Sequence, residues 1–146
     1  MTIDTRDFGK IELDENEVLT FFSPIYGFED LSQYVLLSDD EAGDGLMWLQ
    51  STEEPDVCFV LLEPEAVGVP YKPELPPDVL RQLDVGLAEE AAVRLIAVVP
   101  QNFRETTVNL RSPIVINPAR RRGAQVILEA DYPIRQPLFS EGEAEC

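Results

Sequence analysis

Carboxylates are the side chains most able to take part in catalysis or binding in this sequence. It has 28 Asp and Glu residues, 11 Lys and Arg residues and no histidine. Without an imidazole, neither Ser-His-Asp nor Cys-His nucleophilic catalysis is available. Two carboxylates that face each other across a sugar are sufficient for glycoside hydrolysis, so a small carbohydrate-active enzyme is one alternative. Such an enzyme also needs stacking aromatics, and Trp48 is better interpreted as a core anchor within an apolar run.

The acids and the two cysteines do not have the spacing of a metal site. An EF-hand loop that begins at Asp40 would place Ser51 at the twelfth position, where an acidic ligand is required. Cys58 and Cys146 cannot form a structural zinc site by themselves, and Cys58 lies in an apolar run where a buried, inert thiol is expected. The sequence therefore predicts no catalytic residue, no cofactor site and no metal site.

The whole chain has a formal net charge of −17, and its acids are concentrated in the first part. Between Lys10 and Lys72 there are 15 acids and no base. Phosphate binding needs clustered Lys and Arg, so no direct nucleic-acid site is predicted, and long-range attraction favours a cationic protein partner. The turn 120–122, with three arginines, is interpreted either as a solvated hairpin tip or as an intramolecular partner of the acids.

The elements that must position these side chains are short strands with turn residues about every ten positions, which is typical of a sandwich or barrel. We predict an all-β fold, a small antiparallel β-barrel with one short helix at 77–83. Pro77 suits the first helical position and Asp78 suits the positive end of the helix dipole. The strands are expected at 3–5, 8–13, 18–22, 33–38, 46–51, 57–62 and 92–99.

The run 107–117 predicts two further strands joined by a corner. Apolar and polar residues alternate through 107–111, which is the period of a half-buried strand, and Pro113 belongs at a bend because it has no amide donor. The β-branched residues 114–116 suit a buried strand, and 124–128 predicts a third. The residues of this run that are expected in the core are Val108, Leu110, Ile114 and Ile116.

The domain organisation is expected to be simple. Residues 1–135 are predicted to form a single domain, and residues 136–146 an acidic, disordered tail. No apolar stretch approaches the length of a membrane span, and the N-terminus has no signal-peptide pattern. We expect a cytoplasmic protein without a membrane interaction, monomeric when unbound.

Two surfaces are candidates for binding a partner. The first is the loop 52–56 that follows Leu49-Gln50-Ser51, in which Pro55 would limit the flexibility of the backbone. The candidate residues of this surface are Gln50, Ser51, Glu53, Glu54 and Asp56. Its acids are suited to a basic partner.

The second candidate surface is the outward face of the strand near 107–109, with Asn117 at the end of the following strand. Asparagine is depleted in strands, so an outward Asn109 suggests a role for the side chain, and a local hydrogen bond to the backbone is the alternative. Tyr71 is either an anchor for its proline-rich loop or an exposed aromatic that contacts a partner. The candidate residues are Tyr71, Thr107, Asn109 and Asn117.

Several of these motifs, in this order, resemble the FliW family of flagellar assembly factors. They are Gly27-Phe28-Glu29, Leu49-Gln50-Ser51, Phe59 with Pro64, Tyr71, and the run 107–117 followed by Gly123-x-Gln125-Val126-Ile127-Leu128. The resemblance extends from residue 2 to about residue 138. It implies a cytoplasmic, non-enzymatic binding protein, and it places Gln50, Ser51, Tyr71, Asn109 and Asn117 in a partner-binding β domain.

The same resemblance implies two partners, flagellin and the RNA-binding translational repressor CsrA. The protein would then be an anti-repressor that senses unassembled flagellin and relieves the repression of flagellin translation. The family favours binding beside the RNA site, with a non-competitive effect. A plain flagellin chaperone that does not contact CsrA is the alternative among binding proteins.

Overall fold

The computed structural model describes residues 2–6, 8–38, 46–68, 71–86, 91–99 and 101–138. Strands dominate these residues, and one α-helix, α1 (Pro77–Leu83), lies between the sixth and seventh strands. The strands are β1 (Thr2–Thr5), β2 (Gly9–Glu12), β3 (Leu19–Ser23), β4 (Gln33–Leu37), β5 (Leu46–Ser51), β6 (Cys58–Leu62), β7 (Ala92–Val98), β8 (Thr107–Val108), β9 (Ile114–Asn117), β10 (Arg122–Gln125) and β11 (Gln136–Pro137).

Within the described residues, seven strands close into a barrel in the order β7-β6-β5-β4-β3-β10-β9. The pairing of β9 with β7 completes the ring, with Ala92 opposite Ile116. The predicted β-barrel with one short helix is therefore confirmed. One pairing departs from the antiparallel pattern, because β10 runs parallel to β3. The short strands β8 and β11 extend the sheet beyond β7.

The barrel interior is filled by apolar side chains from the strands that surround it. A ring-to-ring contact between Phe21 and Tyr34, whose centroids lie 4.9 Å apart, is at its centre. The buried members of this core are Leu19, Phe21, Ile25, Tyr34, Leu49, Leu61, Ile114 and Ile116. Alternation along each strand sends every second side chain inward, so strands from both halves of the chain build one core.

The outer face of the barrel is covered by four segments. Helix α1 packs over β9 and β10, where Leu83, Val115 and Ala124 belong to one buried cluster. The segment that leads to the helix and the segment before β11 cover β7 and β8. The β1–β2 hairpin reaches β5, where Phe8 makes an edge-to-face contact with Trp48 at 5.1 Å. Trp48 is accordingly a packing residue.

The helix begins and ends for identifiable local reasons. Pro77 occupies its first position, as predicted. Asp84 ends it in a left-handed conformation, with φ 64°, and its amide donates to the carbonyl of Arg81 at 3.0 Å. Its short polar side chain tolerates this region better than most residues do.

The expected core positions of the run 107–117 are confirmed, but its first strand is shorter than predicted. Val108, Leu110, Ile114 and Ile116 are all buried. Regular pairing stops after Val108 because Asn109 Oδ1 accepts hydrogen bonds from the amides of Arg111 and Ser112, each at 3.0 Å. This turn replaces the predicted continuation of the strand to residue 111.

The predicted boundary of the acidic tail also needs correction. Gln136 and Pro137 form β11, opposite Val108 and Thr107. The amide of Leu138 donates to the carbonyl of Thr106 at 3.0 Å, so the paired chain continues three residues beyond position 135. The rest of the predicted tail, and the acidic turn 39–45, lie outside the described residues. Among the helices of the described residues, none is long and apolar enough to cross a membrane.

Candidate partner-binding surface

The acidic loop, residues 52–56 between β5 and β6, is held in place by the side chains that precede it. Ser51 Oγ accepts hydrogen bonds from the amides of Glu53 at 3.0 Å and Glu54 at 2.9 Å. The amide of Val57 then donates to the carbonyl of Glu54 at 3.0 Å and closes the turn. A serine that bonds to amides two and three residues ahead is a standard way to stabilise such a turn.

Gln50 is fully buried and connects this loop to the N-terminal hairpin. Its Nε2 donates to the carbonyls of Ser51 and Pro55, both at 3.0 Å, and to that of Val57 at 3.3 Å. Its Oε1 accepts a hydrogen bond from the amide of Arg6 at 3.2 Å. In the described structure the side chains of Gln50 and Ser51 are buried and position the loop, and their contact with a partner stays a prediction.

The acids of the loop are exposed, as a binding surface requires. Glu54 and Asp56 point their carboxylates into solvent, whereas Glu53 Oε1 also accepts hydrogen bonds from the amides of Ser32 and Gln33, both at 2.8 Å. Burial, and secondly the charge of Glu53, raise the pKa of the Tyr34 hydroxyl to about 12. The loop thus presents a fixed negative charge at one end of the barrel.

The second candidate surface is mostly used within the fold. Asn109 Oδ1 forms the turn after β8, and Asn117 is buried at the end of β9. Asn117 Nδ2 donates to the carbonyl of Leu83 at 2.7 Å, so it fastens the C-terminal end of α1 to the barrel. The structure therefore assigns local structural roles to both asparagines, and Thr107 is half-buried in a strand flanked by β7 and β11.

Tyr71 is an anchor of the proline-rich segment. Its hydroxyl donates to the carbonyl of Leu110 at 2.6 Å, and its ring meets that of Tyr132 edge-on at 4.8 Å. Burial, and secondly the neighbouring Tyr132, raise the pKa of Tyr71 well above its usual range. Of the two interpretations left open by the sequence, the structure supports the packing role.

Arginines 120–122 contact the protein itself. Arg120 Nε lies 2.8 Å from Asp84 Oδ2, and Arg122 donates to the carbonyl of Gln82 at 2.9 Å. Arg121 donates to the Asn16 side chain at 2.9 Å. Two of the three arginines therefore fasten the end of α1, which favours the intramolecular interpretation of this turn.

Two exposed apolar features were not selected from the sequence. One is the loop with Tyr26 and Phe28, whose exposure depends on how the loop crosses the end of the barrel. The other is a groove of about 590 Å³ beside the proline-rich segment. Its apolar lining residues are Leu75, Pro76, Pro77, Ile127, Leu128 and Tyr132, and the charged Lys72, Glu74 and Glu129 also line it. Ile127 belongs to the predicted strand 124–128, and its exposure is visible only in the structure.

Comparison with known proteins gives a consistent result. A family model described as FliW protein matches residues 2–138. Flagellar assembly factor FliW of Caldicellulosiruptor bescii is 36% identical over 138 residues, which cover 94% of this chain and 90% of the relative. Flagellar assembly factor FliW of Symbiobacterium thermophilum is 42% identical over 125 residues, covering 85% and 91%. A solved structure described as the crystal structure of the flagellar assembly factor FliW superposes with a TM-score of 0.89 at 36% identity, covering 97% of this chain and 99% of the other.

Proposed function

Because this chain belongs to the FliW family of flagellar assembly factors, we propose that it is a non-enzymatic regulator in the cytoplasm that binds CsrA and flagellin. Binding to CsrA relieves the repression of flagellin translation, and flagellin competes for the regulator. The observation that carries this proposal is the exposed acidic loop, held by Gln50 and Ser51. A binding surface of this kind needs no catalytic group.

The acidic loop suits CsrA for an electrostatic reason. A protein that binds RNA must present basic surface, and this chain carries a formal net charge of −17. The field of the whole molecule attracts such a partner and accelerates encounter. Hydrogen bonds from three loop amides are already satisfied in the free protein, so little loop entropy is lost on binding.

The test reverses charges in the acidic loop. Glu54→Lys with Asp56→Lys should weaken binding to CsrA by about tenfold or more at low salt, mostly through slower association. Glu53→Gln is a separate variant, because the carboxylate of Glu53 also caps the amides of Ser32 and Gln33. Isothermal titration and surface plasmon resonance over a range of salt concentrations measure both effects.

The matched control has the same change in net charge in another place. Glu65 and Glu74 are exposed acids of the segment before α1, and Glu65→Lys with Glu74→Lys should change the affinity for CsrA far less. Equal losses in the two double variants would mean that only net charge matters, and an unchanged affinity in the loop variant would remove the loop from the interface.

Flagellin is proposed to bind elsewhere, because its segments that are buried in the filament are helical and apolar on one face. The groove beside Tyr132 has both apolar and charged lining residues, with the exposed Ile127 on its rim, and is suited to an amphipathic helix. Ile127→Asp should therefore weaken binding of flagellin. Ile134→Asp, at an exposed isoleucine outside the groove, is the control.

The two partners must be linked if the protein senses unassembled flagellin. Flagellin then weakens the binding of CsrA, and CsrA weakens the binding of flagellin by the same factor. Titrating flagellin into a preformed complex with CsrA should release CsrA. If both bind with no mutual effect, the sensing of flagellin through CsrA is wrong. If CsrA does not bind, a plain flagellin chaperone is the correct function.

A further inference from the structure

The aromatic loop, residues 24–32 between β3 and β4, closes one end of the barrel. Ile25 is buried and Leu31 packs against the same interior core. Phe28 lies edge-on to Phe59 of β6, with ring centroids 5.1 Å apart. The loop therefore crosses the end of the barrel from β3 to β6 before it returns to β4.

This crossing leaves two aromatic rings at the surface. Tyr26 is 80% exposed, and Phe28, although in contact with Phe59, is 36% exposed. The backbone beneath Tyr26 is fixed, because its amide donates to Gln125 Oε1 at 2.7 Å. A large exposed ring on a fixed backbone offers contact area to another surface and loses little conformational entropy on binding.

Acidic residues directly follow these two aromatic residues in the chain. Glu29 Oε1 accepts a hydrogen bond from the amide of Gly27, and the exposed Asp30 follows it. Glu53 joins this loop to the acidic loop through the amides of Ser32 and Gln33. The two loops therefore form one continuous surface, and both lie in the stretch between Lys10 and Lys72 that contains no basic residue.

The packing below this surface is also unusual. A row of aromatic contacts runs inward from Phe28 through Phe59 to Tyr34, whose ring centroid lies 6.3 Å from that of Phe59. The Tyr34 hydroxyl is buried and has no hydrogen-bond partner among the described residues. Rigid rings thus support the exposed ones, and an interface built on them needs little rearrangement.

We propose that Tyr26 and Phe28 are the apolar centre of a docking surface for an arginine-containing segment of a partner protein, with Glu29, Asp30 and the acidic loop as its rim. Arginine fits because its guanidinium stacks on an aromatic face and pairs with carboxylates at the same time. A nucleic acid does not fit, because its phosphates would be repelled. This inference rests on the proposed function, because the rim of the docking surface includes the acidic loop, which is proposed above to bind CsrA.

The central test is Tyr26→Ala, compared with Tyr26→Phe and with the control Ile134→Ala, a similarly exposed apolar residue in the segment before β11. Two probes are used with the full chain: purified CsrA, and a synthetic peptide of alternating arginine and leucine with its lysine counterpart. Tyr26→Ala should weaken the affinity for CsrA about tenfold through faster dissociation, as removal of a central aromatic does. Tyr26→Phe and Ile134→Ala should remain within about twofold, the size of change expected at a neutral contact.

The salt dependence separates the centre from the rim. The affinity of Tyr26→Ala should fall with added salt as steeply as that of the parent, whereas the reversal of Glu54 and Asp56 should flatten the dependence. Circular dichroism and the midpoint of urea unfolding establish that Tyr26→Ala is folded. Since Tyr26 is mostly exposed, we expect that midpoint to be unchanged.

The outcomes distinguish this inference from the proposed function. If CsrA binds the parent and Tyr26→Ala equally well, the inference is wrong and the CsrA function stands. If CsrA does not bind the parent, the CsrA function is wrong, and the two peptides then test the docking surface by themselves. The docking surface is supported if the parent prefers the arginine peptide and Tyr26→Ala loses that preference. It is overturned if neither peptide binds, or if peptide binding does not depend on Tyr26.

Discussion

The side-chain oxygen of Gln50 accepts a hydrogen bond from the backbone amide of Arg6, 44 positions earlier in the chain, at 3.2 Å. The nitrogen of the same carboxamide donates to three carbonyls in and beside the acidic loop. One buried amide group therefore fixes the N-terminal hairpin and the acidic loop to β5 at the same point, so the two cannot move independently without breaking its hydrogen bonds.

We predict that Gln50→Leu lowers the free energy of unfolding by about 1–3 kcal/mol, since buried polar groups lose their partners. Gln50→Leu should also weaken the affinity for CsrA, because the acidic loop is no longer held in place before binding. Urea titration and calorimetry measure the two effects. Gln101→Leu, at an exposed glutamine, is the control, and a Gln50→Leu protein as stable as the parent would show that these bonds contribute nothing net.

A second prediction concerns Gly123, which lies against the ring of Phe21 in the parallel pairing of β3 and β10. A β-carbon at position 123 would lie 2.6 Å from Phe21 Cε1. That ring is buried against Tyr34, so Gly123→Ala should cost about 1–3 kcal/mol as overpacking does. In a Phe21→Leu background the cost should shrink, and equal costs in the two backgrounds would disprove the steric explanation.

Tyr34 and Tyr71 should respond in opposite ways to removal of the hydroxyl. Tyr34→Phe removes a buried hydroxyl with no partner among the described residues and should leave the free energy of unfolding unchanged or raise it by about 1 kcal/mol. Tyr71→Phe loses the hydrogen bond to the carbonyl of Leu110 and should lower the free energy of unfolding by about 0.5–1.5 kcal/mol. Each variant is the control for the other, and losses of similar size would refute the contrast.

Alkaline pH should destabilise the protein through the same two tyrosines. Both have a pKa above the usual value of 10.0, about 12 for Tyr34. Above pH 10 the unfolded chain loses protons that the folded protein retains, so stability is fully present below pH 10 and decreases as the pH rises toward 12. The slope for each buried tyrosine approaches about 1.4 kcal/mol per pH unit.

Urea titrations between pH 9 and pH 12 measure this slope, and Tyr34→Phe or Tyr71→Phe should each make it shallower. Tyr26→Phe is the control, because the side chain of Tyr26 is mostly exposed. A decrease that is identical in all three variants would assign the alkaline effect to other groups.

The sequence alone determined the fold class, the helix and much of the core, because these depend on local patterns. Alternating apolar residues predicted the burial of Val108, the β-branched run 114–116 predicted that of Ile114 and Ile116, and the Pro77-Asp78 pair predicted the start of α1. The position of the acids was also readable, since charge requires no knowledge of the fold. Strand periodicity and the helix start depend on residues close together in the chain, where steric and hydrophobic preferences act between neighbours.

Only the tertiary structure decided what the candidate side chains do. Gln50 and Asn117 were candidates for contact with a partner, yet their hydrogen-bond partners include Arg6 and Leu83, which are remote in the sequence. Tyr26 became a surface residue because its loop crosses the barrel end, an outcome of the contact between Phe28 and Phe59. Exposure and hydrogen bonding depend on segments brought together by folding, so no local pattern could have assigned them.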